Sequence, residues 1–240
     1  MNPIRLLPFA DLGGVAQMAA DDALLATAAD AGAASLRFYT WATPTLSLGY
    51  FQPAALHAAY PELPWVRRAT GGAALVHHHE LTYALALPAG RDWQPAGQSW
   101  LCRVHHWVQG ALGELGAVTE AVVCGRERKL GDALCFEHQT AGDLVSGGSK
   151  VVGSAQRKLR GALLQHGGIL LRRSVFTPSL PGLSELTRVA IEPHELAARL
   201  TAKFATAFAV SPGDWTAGES ALRETLAAGK YGHPPWNEKR

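Results

Sequence analysis

The sequence predicts an α+β fold: a single domain whose mixed, largely antiparallel sheet is flanked by helices. Three observations carry this. The 240 residues are 48% hydrophobic, enough apolar material for a substantial core. Apolar residues recur at helical spacing in some stretches and alternate in others. The strand-like runs are joined by tight turns more often than by helices, which favours antiparallel neighbours over strand–helix–strand units. No repeat, low-complexity block or composition shift marks a boundary, so residues 1–240 are read as one domain.

In chain order, residues 15–31 set Met18, Leu24 and Leu25 among alanines, a helix that Gly32 ends. Residues 35–41 (SLRFYTW) alternate and are aromatic, a strand stopped at Thr43-Pro44. Residues 46–50 read as a second strand, 54–60 as a short helical turn and 66–68 as a strand arriving at Gly71-Gly72. Residues 73–77 and 81–87 read as strands joined by His78-His79-Glu80. Ser99 is placed to cap a helix over 100–115, where Val104, Val108, Ala111 and Leu112 share one face. Residues 121–124 and 143–146 read as short strands, 193–208 and 219–228 as helices, and 229–235 as a loose end.

Charge and cysteine usage narrow the classes. Lys plus Arg number 22 against 20 acidic residues, a net +2, too balanced to argue for nucleic acid. No run of about 18 apolar residues suggests a membrane span, and the N-terminus, with Arg5, a short apolar patch and Asp11, does not read as a signal peptide. Cys102, Cys124 and Cys135 lack metal-ligand spacing, so a reduced, cytoplasmic setting is expected.

Two glycine-punctuated stretches carry the chemistry. Residues 147–171 read as strand, turn, strand, with Lys150 just before the first strand and Gly153, Ser154 and Ala155 after it. Glycine weakens a strand unless the backbone bends or something approaches closely. Lysine is a compact three-donor charge suited to polarising a carbonyl or phosphate oxygen, although a plain surface lysine would fit the same spacing. Residues 67–87 read as a second hairpin broken by Gly71-Gly72, facing the first. Adjacent Arg67 and Arg68 point to opposite faces, so at most one of them serves a site. His77, His78 and His79 diverge on a strand, which disfavours a metal; one of them could hydrogen-bond a substrate or a neighbour. Cys135 sits in a polar segment between Gly131-Asp132 and Glu137-His138-Gln139. It is either a small buried hydrophobe or, if the fold brings it to Lys150, a candidate nucleophile.

Four ordered motifs then carry a resemblance. Arg67 to Gly72 (RRATGG), followed by His77 and Glu80-Leu81-Thr82-Tyr83, resembles the RR-x-TGG…H…ELTYS signature of the lipoate–protein ligase and octanoyltransferase superfamily. Lys150 to Arg157 (KVVGSAQR) with Gln165-His166-Gly167 resembles its K-x-x-G-S-A-Q-R…QHG signature. Leu46 to Gln52 and Met18 to Asp21 resemble its remaining elements. Ala73 and Ala84 depart from the residues usual there. The resemblance implies the biotin/lipoyl ligase-like fold, with all 240 residues forming one catalytic domain. It implies Lys150 as the residue on the acyl carbonyl. Gly71, Gly72, Gly153, Ser154 and Ala155 would line the acyl tunnel, with Arg68 and His77 at further substrate-binding positions.

Within that superfamily the residues favour the octanoyltransferase branch. Cys135-Phe136 resembles its nucleophile position, nothing in the 240 residues resembles the small added domain of familiar bacterial ligases, and no P-loop motif occurs. The expectation is transfer of an octanoyl group from acyl carrier protein, through a Cys135 thioester, to a lysine of a lipoyl domain. Glycine cleavage H protein and the 2-oxoacid dehydrogenase E2 are the implied acceptors, His77 or a water the candidate base. No cofactor is required for this reaction. The alternatives are an ATP- and Mg-dependent lipoate–protein ligase and a non-catalytic acyl- or lipoyl-binding module.

Overall fold

Alternation within one strand, residues 80–87, organises the molecule. Its odd positions, Leu81, Tyr83, Leu85 and Leu87, enter one apolar core, and Ala84 and Ala86 enter another. Side chains two apart share a face, so this strand is a partition buried on both sides. The computed structural model describes residues 1–95, 97–129, 131 and 134–240; Asp132, read above as part of the setting of Cys135, lies outside the described residues.

The strands are β1 (Asn2–Leu6), β2 (Ala10–Leu12), β3 (Ser35–Trp41), β4 (Thr45–Leu48), β5 (Trp65–Arg67), β6 (Leu75–His77), β7 (Glu80–Leu87), β8 (Glu120–Ala121), β9 (Arg128–Lys129), β10 (His138–Gln139), β11 (Leu144–Ser146), β12 (Ser149–Leu159), β13 (Ala162–Leu170) and β14 (Phe208–Pro212). The helices are α1 (Gly14–Ala31), α2 (Trp100–Glu114), α3 (Leu183–Thr187), α4 (Pro193–Ala205), α5 (Ala217–Leu226) and α6 (Pro234–Asn237). Among the described residues a nine-stranded sheet runs β14-β1-β3-β7-β13-β12-β11-β8, with β2 beside β3. It is mixed and largely antiparallel: β1 pairs in parallel with β14 and β3, and every pairing from β3 through β7, β13, β12 and β11 to β8 is antiparallel.

α2 and α4 cover one face through Val104, Trp107, Val108, Leu196, Leu200 and Phe204. α1 covers the other through Met18, Leu24, Leu25 and Ala28, with Tyr231 beside it. Small residues on that face of β7 let the alanine-rich helix lie close. Among the described residues no helix is long and apolar enough to cross a membrane.

α1 matches its expected span, and Gly32 caps it in the left-handed region at φ +66°. Ser99 caps α2 by accepting from the Cys102 backbone N–H at 3.2 Å. The structure corrects four readings. Residues 67–87 are not a hairpin: β5 and β6 both pair with β4, which lies between them in a separate three-stranded sheet. Lys150 is inside β12, not ahead of it, because the tight turn is Gly147-Gly148, both with positive φ, and the return turn is Arg160-Gly161. Phe208 belongs to an edge strand beyond the helix. Finally, the tail is docked: Tyr231 is buried, Lys230 pairs with Asp22 at 2.6 Å, and Trp236 Nε1 donates to Arg67 O at 2.9 Å.

Candidate active site

The register of β11 on β12 slips beside the turn. Leu144 pairs with Val152 but Val145 with Lys150, leaving Val151 as an extra residue. A bulge of this kind re-aims side chains. Val151 and Val152 both enter the α2-side core, and Lys150 turns toward the segment that carries Cys135. Its path is open because residue 153 is glycine: a Cβ there would lie 2.5 Å from Lys150 Cε and 2.9 Å from Nζ.

Lys150 is 5% exposed. Nζ donates to His138 O at 2.9 Å, pairs with Asp143 Oδ2 at 2.7 Å and lies 3.6 Å from Cys135 Sγ. An ammonium has three donors; the carbonyl and the carboxylate take two, and the third is directed at the sulfur. Asp143 is held in turn by the Thr140 backbone N–H at 2.7 Å and the Thr140 hydroxyl at 2.9 Å. Cys135 opens a short 3-10 turn, Cys135–Glu137, between β9 and β10. Its backbone N–H donates to Ala74 O at 2.7 Å, docking the segment onto the Gly71-Gly72 loop.

Cys135 lies at a largely apolar cavity of about 430 Å³, part of it open to solvent. Both glycine-punctuated stretches line it, through Arg68, Gly72 and His77 on one side and Gly153, Ser154 and Ala155 on the other. Met18, Tyr39 and Trp41 complete the apolar wall. Gly71 is adjacent; its carbonyl accepts from Arg68 Nη2 at 3.3 Å.

The two arginines do point apart. Arg67 faces away from the cavity, fixed by Asn237 O at 2.8 Å and Gln52 O at 2.6 Å. Arg68 faces it, but its donors hold the glycine loop: Nη1 bonds Ser47 O at 2.9 Å and Ser47 Oγ at 2.6 Å, and Nη2 bonds Ala73 O at 2.9 Å. Burial lowers its pKa from the usual value; the nearby Cys135 and Glu80 oppose this.

His77 parts from the other two histidines, which do not diverge as expected. His78 and His79 stack on each other at 3.5 Å outside the cavity, and His77 is buried, stacked on Trp41 at 3.7 Å. Both His77 nitrogens are engaged, Nε2 with Ser47 Oγ and Nδ1 with Glu80 Oε1, each at 2.6 Å. The resulting chain, Arg68–Ser47–His77–Glu80, links a buried cation to a buried carboxylate through two neutral groups. Burial would raise the Glu80 pKa, yet His77 and donors from Thr82 and Trp41 hold it below the ordinary carboxylate range.

Burial holds His77 and His105 below the ordinary imidazole pKa of 6.5. The unfolded chain therefore takes up these protons first as pH falls. The stability they confer is complete above about pH 6.5 and is lost as pH drops through their folded values. A lower Tm is expected at about pH 5 than at about pH 7.5, and His77→Gln, which has no imidazole to charge, flattens that slope. An unchanged slope would mean that His77 is not buried neutral.

Gly167 makes a second close approach. A Cβ there would collide with Ser154 Oγ and lie 2.8 Å from both Gly153 O and the Tyr83 ring. Gly167→Ala is expected to lower stability by about 1–3 kcal/mol in a urea titration.

Of the residues singled out from sequence, the structure brings Cys135, Arg68, Gly72, His77 and the segment 153–155 around one cavity, and it sets Lys150 against Cys135 without making it part of the lining. Cys102 and Cys124 are exposed and line no part of it. Asp143 was missed; it read only as a strand residue. His166 belongs to the QHG motif, which gives it no role by itself. It also lines the cavity, bonded to Thr70 Oγ1 at 2.8 Å and to Asp21 of α1 at 2.9 Å. Asp21 also binds Arg37 at 2.8 Å and the Tyr39 hydroxyl at 2.9 Å, so a buried polar cluster ties α1 to the sheet.

Comparison with known proteins matches this arrangement to a family. The model of the lipoyl protein ligase A/B catalytic domain matches residues 14–204. The octanoyltransferase LipM of Brevibacillus brevis is 30% identical over 93% of this chain and 94% of its own length. That of Carboxydothermus hydrogenoformans is 38% identical over 73% of this chain and 67% of its own. Among solved structures, a lipoate-protein ligase A bound with ATP superposes with a TM-score of 0.78 at 20% identity, covering 99% of each chain. A bipartite lipoate protein ligase of Thermoplasma acidophilum, studied with its E2 lipoyl domain, gives 0.74 at 19% identity over 99% of this chain and 96% of that one.

Proposed function

The chain belongs to the lipoyl protein ligase A/B catalytic-domain family and is an acyltransferase, and from that premise we propose that it transfers an octanoyl group from acyl carrier protein, through a thioester on Cys135, to a lysine of a lipoyl domain. The observation that carries this reading is the Lys150 ammonium 3.6 Å from Cys135 Sγ at an apolar cavity. A ligase that activates a free acid with ATP has no use for a thiol at that point. Residues 1–240 act in this reading as one catalytic domain.

In the first step the Cys135 thiolate, paired with Lys150, attacks the carbonyl carbon of the donor thioester. Oxygen takes the electron pair, and Lys150 donates to it; each such donor contributes about 3 kcal/mol to the transition state. Collapse expels the carrier thiolate, which takes a proton from water, replacing the one Cys135 released to water on ionising. The octanoyl chain lies against Gly72, Gly153, Ala155 and Met18, gaining about 0.8 kcal/mol per buried methylene. In the second step the neutral amine of the target lysine attacks the acyl-enzyme, forms the amide and expels the Cys135 thiolate. Of the two candidate bases, water takes the amine proton, since both nitrogens of His77 are engaged. Arg68 and His77 serve the site by holding the glycine loop and the cavity wall.

The test is to incubate the protein with octanoyl–acyl carrier protein and a lipoyl domain, glycine cleavage H protein or 2-oxoacid dehydrogenase E2, without ATP. The expected result is an octanoylated lipoyl domain. Modification only with free acid, ATP and Mg would replace the transferase reading by the ligase.

A further inference from the structure

A buried histidine that the mechanism above does not use joins the cavity lining to the support of Lys150. His105 lies on α2, 1% exposed. Its Nδ1 is 2.6 Å from Gly142 O and its Nε2 2.6 Å from Ser154 Oγ. The carbonyl can only accept, so Nδ1 carries the proton and Nε2 must accept from the Ser154 hydroxyl. Ser154 Oγ lies 2.6 Å from the Tyr83 hydroxyl, which accepts from Gln165 Nε2 at 2.7 Å; Gln165 Oε1 accepts from Gln156 Nε2 at 2.7 Å. The chain thus runs in one direction, from Gln156 to the Gly142 carbonyl.

Gly142 immediately precedes Asp143, the carboxylate that holds Lys150. Its left-handed backbone, φ +91°, packs directly on α2, where a Cβ would lie 2.7 Å from Leu101 Cδ2 and 3.3 Å from Cys102 Sγ. The Gly142 N–H is taken by Val122 O at 2.8 Å, so both polar groups of this peptide corner are pinned, one by the sheet edge and one by His105.

We propose that His105 is a positioning residue for Lys150. By fixing the Gly142 carbonyl it fixes Asp143, and Asp143 directs the ammonium at Cys135. Through Ser154, which lines the cavity, it couples the packing of the acyl slot to that ammonium. The inference rests on the roles given above to Cys135 and Lys150.

Asparagine and glutamine at position 105 separate this role from packing. Asn places an amide N–H near the position of Nδ1 and keeps the bond to Gly142; Gln reaches toward Ser154 and leaves Gly142 without its donor. In a Cys102→Ser/Cys124→Ser background, the alkylation rate of Cys135 by iodoacetamide at fixed pH reads how closely the ammonium attends the sulfur. His105→Gln is expected to slow alkylation several-fold. It is also expected to slow single-turnover octanoylation by about 10- to 100-fold, the scale of a small misplacement, with the donor KM within about twofold. His105→Asn is expected to stay near wild type in both. Wild-type rates in His105→Gln, or equal losses in both variants, would overturn the proposal. Should His105→Gln fail to fold, His105→Met, which also leaves Gly142 without its donor at similar volume, carries the same alkylation expectation; a wild-type alkylation rate there would also overturn it. A wild type that takes no octanoyl group refutes the transferase reading alone, and the alkylation comparison still decides His105.

Discussion

Cys135→Ala is expected to lose octanoyl transfer by about 10³-fold or more, since an essential nucleophile has no substitute in the site. The fold is expected to survive. Cys135 is only partly buried, and the contact that docks its segment, N–H to Ala74 O, is made by backbone that alanine keeps. The transfer rate and the Tm should therefore separate, the first collapsing and the second moving by about 2 °C or less. Full transfer by this variant would remove the covalent step and leave direct attack of the lipoyl lysine on the donor thioester. Cys135→Ser is expected to be nearly as inactive, because an alcohol is far less ionised than a thiol and Lys150 offers no proton acceptor while it is charged.

Lys150→Met is expected to have two large effects with different causes. Catalysis falls by about 10²–10³-fold because the donor on the developing oxyanion is gone. Stability falls by about 3–5 kcal/mol because Asp143, itself buried, is left as an unpaired charge. The double variant Lys150→Met/Asp143→Asn distinguishes them. Asparagine keeps the shape without the charge, so most of the stability should return in urea unfolding while single-turnover acylation stays slow. Recovery of acylation in the double variant would reduce Lys150 to a scaffold residue.

Local patterns were legible where the physics is local. The alanine-rich helix with its glycine stop, the Ser99 cap and the alternating strand at residues 35–41 were all readable within one or two turns of chain. The opposed arginines followed from strand geometry alone. The partnership of β1 with β14 was not readable, because a parallel edge pair joins residues 2–6 to 208–212 across almost the whole chain and no local pattern links the two. The same holds for β4, which inserts between β5 and β6 and converts an apparent hairpin into a three-stranded sheet.

The site divides in the same way. Lys150, Cys135 and the glycines stood out by their surroundings with alternatives open, and the motif resemblance gave them their expected roles. Asp143 and His105 did not. Asp143 becomes important only through the bulge that re-aims Lys150, a feature of strand pairing that no single stretch encodes. His105 sits in an amphipathic helix where a polar residue normally faces water; only the packing of α2 on Gly142 shows that it is buried. The tail misled for a related reason: Gly, His and Pro mark it as irregular, yet Pro234 opens the short helix α6, and contacts such as Asn237 on Arg67 fix it.

The measurement that bears most directly on the account is the intact mass of the purified protein after incubation with octanoyl–acyl carrier protein, without ATP and without a lipoyl domain. The account predicts a gain of one octanoyl group that maps to Cys135, is released by hydroxylamine and is absent from Cys135→Ala. An unmodified protein under these conditions that nonetheless octanoylates a lipoyl domain in full, or an adduct placed on another residue, would contradict it.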